Sequence, residues 1–402
     1  MKRLIAPLML LIGVFVVTQL LQPYTFIFQE QDGLFLWSKD YFTLMFQQSF
    51  PLSAILGDFL TQFYRYLYIA PLILAIEAVV AYLLVRGILS RLGLGWDVLA
   101  ALGACGVWVA GAFAPTAKTA VMILLLLTLV FLLSRLLPKR KSFRLKDWAE
   151  WAGTAILVVG VGVFLSLSPR IASRERTSAL RQAIVTSDWN RATSIATPAA
   201  AKEDRDMLPL VLLAWGMKEQ LGEHIFDYDI WSEDDLDMKG RGDSYACLFF
   251  RGFLYNNLVC PNEAAHNFFQ LSTLQGHGQS FLVLRQLVAD YYVMGNFTLV
   301  RKYLAILSRS NCHARFVRFY QEAMKQDSPR EADSLDFRKT VTFVSHDPLN
   351  NLLELDARGF RSRFLLDRIL CTLLIREDYE QYQTIFQSVR EAYYPVTPKY
   401  YW

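Results

Sequence analysis

The 402-residue chain is poor in the residues that build most catalytic and metal centres, with five histidines and five cysteines. His224, His266, His277, His313 and His346 are scattered. No two of them stand at ligand spacing on one helical turn, and Cys247 and Cys260 lack a close CxxC geometry. The phosphate-cradling loop, the GxGxxG dinucleotide fingerprint and the GxSxG nucleophile elbow are all missing. The acidic stretch Glu233, Asp234, Asp235, Asp237 lacks the alternating ligand order of a calcium loop and reads as a solvated loop. No catalytic residue, metal or cofactor is therefore assigned from sequence, and a non-enzymatic role is favoured. A charge excess is missing too: after Ser168 there are 28 Lys+Arg against 29 Asp+Glu, which leaves no footprint for nucleic acid. Finally, no small-x-small cleavage site follows the first apolar run, which ends Thr18-Gln19-Leu20-Leu21-Gln22, so that run reads as an uncleaved anchor.

What the sequence has is long apolar runs, concentrated before Ser168. Five segments approach the ~20 apolar residues that cross ~30 Å of hydrocarbon: Leu4–Leu21, Tyr66–Val85, Val98–Ala114, Thr119–Leu137 and Trp151–Ser168. Between the last two lies a basic block, Arg135, Lys139, Arg140, Lys141, Arg144 and Lys146. Positive charge near span ends stays on the cytoplasmic side. With Lys2 and Arg3 also inside, alternation gives a cytoplasmic N-terminus and an extracytoplasmic tail. Arg170, Arg174 and Arg176 break this pattern, which large exported domains tolerate. The expected domains are a transmembrane domain over 1–168 and an extracytoplasmic, periplasmic helical domain over 169–402. An oxidising compartment would permit disulfides among Cys247, Cys260, Cys312 and Cys371, with buried free thiols an equal alternative.

The outer segment 22–65 is aromatic throughout, including Tyr24, Phe26, Phe28, Phe35, Trp37, Tyr41, Phe42 and Phe46. After Pro51, Ile55, Leu56, Phe59, Leu60 and Phe63 recur at helical spacing, with Asp58 and Gln62 opposite. This predicts an amphipathic helix lying on the outer leaflet in contact with membrane lipid, with Asp58, Phe59 and Phe63 as its marker residues. Glu77 falls near the middle of the second span, where an ionised group costs ~2.5–3.5 kcal/mol on insertion scales. It is the intramembrane functional candidate. Ala100, Ala101, Gly103, Ala104, Gly106, Ala110 and Gly111 make the third span small-sided, which predicts close packing inside a bundle.

From Pro169 onward amphipathic segments of helix-hairpin length alternate with breakers such as Asp188, Pro198, Gly222, Pro261, Gly295, Pro329, Pro348 and Gly359. Leu284, Leu287, Val288, Tyr291, Gly295, Phe297, Val300, Leu304 and Leu307 follow the spacing of the tetratricopeptide repeat. The pairs Asp188-Trp189, Asn296-Phe297 and Asp378-Tyr379 recur at equivalent places. The expected fold class is all-α: a transmembrane bundle of about five spans followed by a tetratricopeptide-like helical repeat domain.

The chain also resembles a family of multispanning bacterial inner-membrane proteins known only as a domain of unknown function. The resemblance rests on Leu56-Gly57-Asp58-Phe59-Leu60-Thr61-Gln62-Phe63-Tyr64, on Lys218-Glu219-Gln220-Leu221-Gly222 leading to Ile225-Phe226, and on the hairpin around Tyr291 and Gly295. It implies an inner-membrane location and a tetratricopeptide-like tail, and it carries over no catalytic residue. The expected function is a membrane scaffold or assembly protein whose helical-repeat domain binds protein partners. The alternatives are an envelope lipid- or glycan-processing enzyme, motivated by the aromatic segment beside Glu77, and a transporter subunit, motivated by Glu77.

Overall fold

The computed structural model describes residues 4–114, 116–138, 146–238, 242–274, 280–326, 341–343, 345 and 347–402. Lys2, Arg3, most of the basic block (Lys139, Arg140, Lys141, Arg144), His277, His346 and Pro329 lie outside them. Among the described residues the regular structure is helical, with no strand, as the all-α expectation requires. The chain divides into two compact units: Met1–Ser178 with Ser308–Ala314, and Ala179–Leu307 with Arg315–Trp402.

In the first unit, α1 (Ile5–Leu21), α5 (Ile69–Leu92), α6 (Asp97–Phe113), α7 (Ala117–Ser134) and α8 (Asp147–Ser166) pack side by side. Between α1 and α5 come three short helices, α2 (Pro23–Asp32), α3 (Lys39–Phe46) and α4 (Pro51–Thr61). Gly106, one of the small residues predicted to pack closely, is exposed, but small residues do line the buried faces of α5 and α6. On α5 these are Ala70, Ala75, Ala78 and Ala81, and on α6 Ala100, Ala101, Ala104, Gly111 and Ala112. The large aliphatic side chains point the other way: Leu72, Ile76, Val80 and Leu83 on α5, and Leu126, Leu129, Val130, Leu132 and Leu133 on α7, are exposed. Such rows suit lipid, where close helix contact rests on small residues and packing rather than on water exclusion.

The expected five spans are revised. Three helices, α5, α7 and α8, are long and apolar enough to cross a membrane. A fourth exists only if α1 and α2, bent by 78° at Gln22, are taken as one. The bend falls where Pro23, lacking an N–H, opens α2. The third expected span, α6, has 17 residues, or about 26 Å at 1.5 Å per residue, short of the hydrocarbon core. The chain is thus a helical protein with several membrane-length segments.

Segment 22–65 holds three helices, and α4 uses its polar side for packing. Ser53, Ala54, Gly57 and Thr61 are buried, while Leu52 and Leu56 are exposed. Gly57 lies so close to α7 that a Cβ there would stand 2.7 Å from the Lys118 backbone. The predicted apolar and polar faces exist, but the inward one is the polar, small-residue face.

The second unit is built from helices that pack on their chain neighbours: α15 (Tyr245–Asn257) on α16 (Pro261–Leu274), α16 on α17 (Phe281–Val293), and α17 on α18 (Phe297–Leu307). Near the C-terminus α20 (Pro348–Ala357) packs on α21 (Arg363–Ile375), and α21 on α22 (Tyr379–Tyr393). A central helix, α12 (Met207–Met217), is buried almost all round, as its unbroken apolar sequence requires.

One turn recurs six times among the described residues of the second unit, and once in the first, at Gly93, where the Leu94 N–H donates to the Leu89 carbonyl at 2.9 Å. Ser187, Glu219, Val259, Gly295, Gly359 and Glu377 take left-handed backbone angles directly after a helix. In each case the next residue's N–H donates to the carbonyl five positions back: Asp188 to Ala183 at 2.8 Å, Gln220 to Trp215 at 2.9 Å, Cys260 to Tyr255 at 2.8 Å, Asn296 to Tyr291 at 2.9 Å, Phe360 to Leu355 at 3.1 Å and Asp378 to Leu373 at 3.0 Å. This closes the helix end by satisfying carbonyls left over at its last turn. Three of these following residues also cap the next helix. Asp188 accepts from the Arg191 N–H, Asn296 from Leu299 and Asp378 from Gln381. The recurring Asp/Asn-aromatic pairs of the sequence are this double cap.

The C-terminal residues close the unit. Tyr394 and Tyr401 both donate to one Asp367 carboxylate oxygen at 2.8 Å, and Tyr401 fills the space beside Gly222, where a Cβ would meet its ring at 2.6 Å. Burial pushes the Asp367 carboxyl up to about 6, against the lowering effect of its two tyrosine donors. All five cysteines are thiols outside any disulfide; of the four disulfide candidates Cys247, Cys260 and Cys371 are buried as small hydrophobes and Cys312 is half-buried.

Val259 is the strained member of the turn series: a β-branched residue at φ 57°, with its side chain about half exposed. A left-handed conformation costs a Cβ-bearing residue ~1–2 kcal/mol, and glycine gives back ~0.5–1 kcal/mol through unfolded-state entropy. Val259→Gly should therefore raise stability by about 1 kcal/mol or somewhat less. Thermal unfolding of the detergent-solubilised protein checks this; a lowered midpoint would show that the Val259 side chain contributes packing that outweighs the strain.

Candidate functional sites

Glu77 sits on the small-residue face of α5, 5 % exposed. It shares that buried face with Leu74, Ala75, Ala78 and Ala81, and neither carboxylate oxygen has a hydrogen-bond partner among the described residues. Tyr64, 2 % exposed and edge-on to Phe26 at 5.3 Å, is close enough to feel its charge. Burial first, and then Glu77, hold the Tyr64 hydroxyl well above its usual range. The second buried carboxylate of the bundle, Glu150, accepts from the Val98 N–H at 2.9 Å and so closes the start of α6.

The three outer-helix candidates separate. Asp58 turns inward, accepting from the Tyr41 hydroxyl at 2.9 Å and pairing with Lys118 at 3.1 Å, so one carboxylate ties α3, α4 and α7 together. Burial and then the Asp58 charge push the Tyr41 phenol up. Phe59 and Phe63 join an aromatic cluster instead. Phe59 meets Phe35 at 5.5 Å, Trp37 at 6.4 Å and Phe63 at 5.4 Å, all edge-to-face. No hydrogen bond joins Glu77 to any of the three, so they do not form a joint site with it.

Sequence reasoning missed a buried pair in the first unit. His313 Nε2 lies 3.4 Å from Glu30, the two being 6 % and 5 % exposed. Beside them the Cys312 thiol donates to Gln62 at 3.2 Å, and the Arg65 guanidinium donates to the Cys312 carbonyl. Gly33, Thr61 and Gln62 complete a cleft with room for no more than a single water. No spacing rule links Glu30 to His313 across most of the chain, so no sequence signal was present. Among the described residues no group of three or more His, Cys, Asp and Glu stands together as a metal cage would.

The second unit carries a larger cavity, about 280 Å³, lined by Asn262, Glu263, Ala265, His266, Phe269, Tyr291, Thr342 and Phe343. Two adjacent side chains in the first turn of α16 hold a non-helical stretch of chain at its edge. Asn262 Nδ2 donates to the Val341 carbonyl at 3.0 Å and to the Thr342 hydroxyl at 3.2 Å. Glu263 Oε1 accepts from the Phe343 N–H at 2.9 Å. Burial raises the Glu263 carboxyl, while the Phe343 N–H and His266 oppose the rise.

The model of a family of unknown function, DUF6057, matches residues 1–124 and 112–401. The chain belongs to this family. No curated protein and no solved structure matches the chain. The motifs on which the family resemblance rested have structural duties. Gly57 lets α4 touch α7, Asp58 joins three helices, Glu219 makes a left-handed turn, and Gly222 receives Tyr401.

A buried polar atom without a partner destabilises by about 1–3 kcal/mol relative to an apolar replacement of similar shape. Glu77→Met should therefore raise the thermal midpoint of the purified protein in detergent. An unchanged or lowered midpoint would mean that the carboxylate is paired after all.

Proposed function

We propose that this DUF6057 chain is a non-enzymatic scaffold of the bacterial inner membrane. The first unit anchors it, and the second holds protein partners on the periplasmic side. The observation that carries this reading is the recurrence of one turn. Within the second unit, the first four turns whose following N–H reaches five positions back, at Ser187, Glu219, Val259 and Gly295, stand at steps of roughly 32–40 residues, close to the tetratricopeptide period of 34. In that reading each helical hairpin buries its apolar face only by stacking on its neighbours, and the stack offers an extended surface for protein recognition.

Anchorage is supported by the outward aliphatic rows of α5 and α7 and by their span lengths. The orientation has the basic block in the cytoplasm, and α8, which follows that block, as the crossing that carries the second unit to the periplasmic side. Part of the charge that broke the expected pattern has a local use: Arg174 donates to the Phe113 carbonyl at 2.9 Å, at the end of α6. Membrane lipid is the remaining partner in this reading, and nucleic acid has no part in it.

A second reading, a transporter subunit or an enzyme of envelope lipid or glycan, rests on Glu77, a buried carboxylate with no hydrogen bond inside an apolar helix. The two readings part on experiment. In-cell crosslinking followed by purification in mild detergent should recover a reproducible set of proteins bound through residues of the second unit. A protein that is repeatedly recovered alone, together with loss of a transport or lipid phenotype in Glu77→Gln at normal expression, would favour the second reading.

A further inference from the structure

The face of α16 already holds a non-helical stretch of backbone. Asn262 and Glu263 supply one donor and one acceptor to consecutive peptide groups of Val341–Phe343, and they do so with side chains that a helix holds in fixed register. Val341 is buried, and the Phe343 ring packs on Tyr255 with centroids 5.3 Å apart. Such alternation of backbone bonds and side-chain pockets is how extended peptides are recognised generally. The cavity beside Val341–Phe343 is lined further by His266, Phe269 and Tyr291.

The chemistry of that cavity is one-sided. Glu263, 8 % exposed, presents a carboxylate to it. Tyr291 and Phe269 provide aromatic walls, and the Tyr291 ring is braced by stacking on Tyr303 at 5.8 Å and 11°. Asp290, the residue before Tyr291, is 3 % exposed, and burial raises its carboxyl well above the usual range, so Glu263 is the acidic group that lines the cavity. Among the described residues His266 is the one basic side chain lining the cavity, and it is solvent-exposed. Arg251 and Arg368 act on Tyr255, which packs on Phe343, but neither is among the residues that line the cavity. A carboxylate with aromatic faces at its sides suits a guanidinium or ammonium group, which pairs with the first and stacks on the second. The volume, a little under that of small-ligand pockets, suits one long side chain.

We propose that this cavity is the recognition pocket for a lysine or arginine side chain of an extended partner segment, which runs beside Val341–Phe343 on the surface of α16 and α17. The proposal rests on the scaffold reading and names the chemistry of its partner. Peptide display selected against the full-length protein in nanodiscs tests it. The selected peptides should share a basic residue. Synthetic copies should bind at least tenfold more weakly when that residue is changed to norleucine. The same loss should appear with Glu263→Gln. It should also appear with His266→Arg, an exposed substitution that places a competing guanidinium three residues from Glu263 and leaves the core untouched. Selected peptides without a basic residue, or basic peptides whose affinity survives both variants, overturn the pocket while leaving the scaffold reading intact. Failure to select any peptide overturns the pocket, and only the in-cell crosslinking result then decides the scaffold.

Discussion

The membrane-length part of this protein depends on finding partners for the ends of its helices. In hydrocarbon a free backbone N–H or C=O costs several kcal/mol, so a short helix inside a bundle is tenable only if its ends are met by something. Helix α6 shows the solution. Glu150 of α8 accepts from the Val98 N–H at its start; at its end, Gln22 donates to the Ala112 carbonyl at 2.9 Å and Arg174 to the Phe113 carbonyl. Glu175 does the same for α2, accepting from the N–H groups of Tyr24 and Thr25 at 2.9 and 2.8 Å. Four polar side chains from distant parts of the sequence thus close the helix ends of one unit. The small residues of α5 and α6 can then bring backbones together without leaving polar groups stranded.

Against that background Glu77 stands apart. The carboxylates of Glu150, Glu175, Asp58 and Asp367 each meet a donor at 3.1 Å or less. Glu77 meets none among the described residues. A bundle that satisfies its helix ends with such economy has kept one carboxylate in an aliphatic setting, and that contrast makes Glu77 the functional candidate of the first unit, more than its position in a span does.

Much of this was legible in the sequence. Apolar runs found α5, α7 and α8, and the Ala/Gly composition of α6 foretold its buried small face. The pairs Asp188-Trp189, Asn296-Phe297 and Asp378-Tyr379 marked turns because one side chain must cap the helix that follows a left-handed residue. Other features left no local trace. Ser187, Glu219, Val259 and Glu377 hold left-handed angles that sequence reasoning assigns to glycine, so more than half the turn series was invisible. The packing partner of α4 left none either, because apolar periodicity marks the face with the large side chains and this helix packs on its neighbours by its small and polar side. The Glu30–His313 pair and the hold of Asn262 and Glu263 on Val341–Phe343 join residues far apart in the chain, where periodicity carries no information.

The scaffold account stands or falls on which side of the bilayer the second unit lies. Its natural cysteines are buried, so a cysteine placed at the exposed Tyr379, in a Cys312→Ser background, reports cleanly on that side. Treated with a membrane-impermeant maleimide, intact spheroplasts should label Tyr379→Cys to the same extent as permeabilised ones. Labelling that appears only after the membrane is opened would put the helical unit in the cytoplasm and contradict the account.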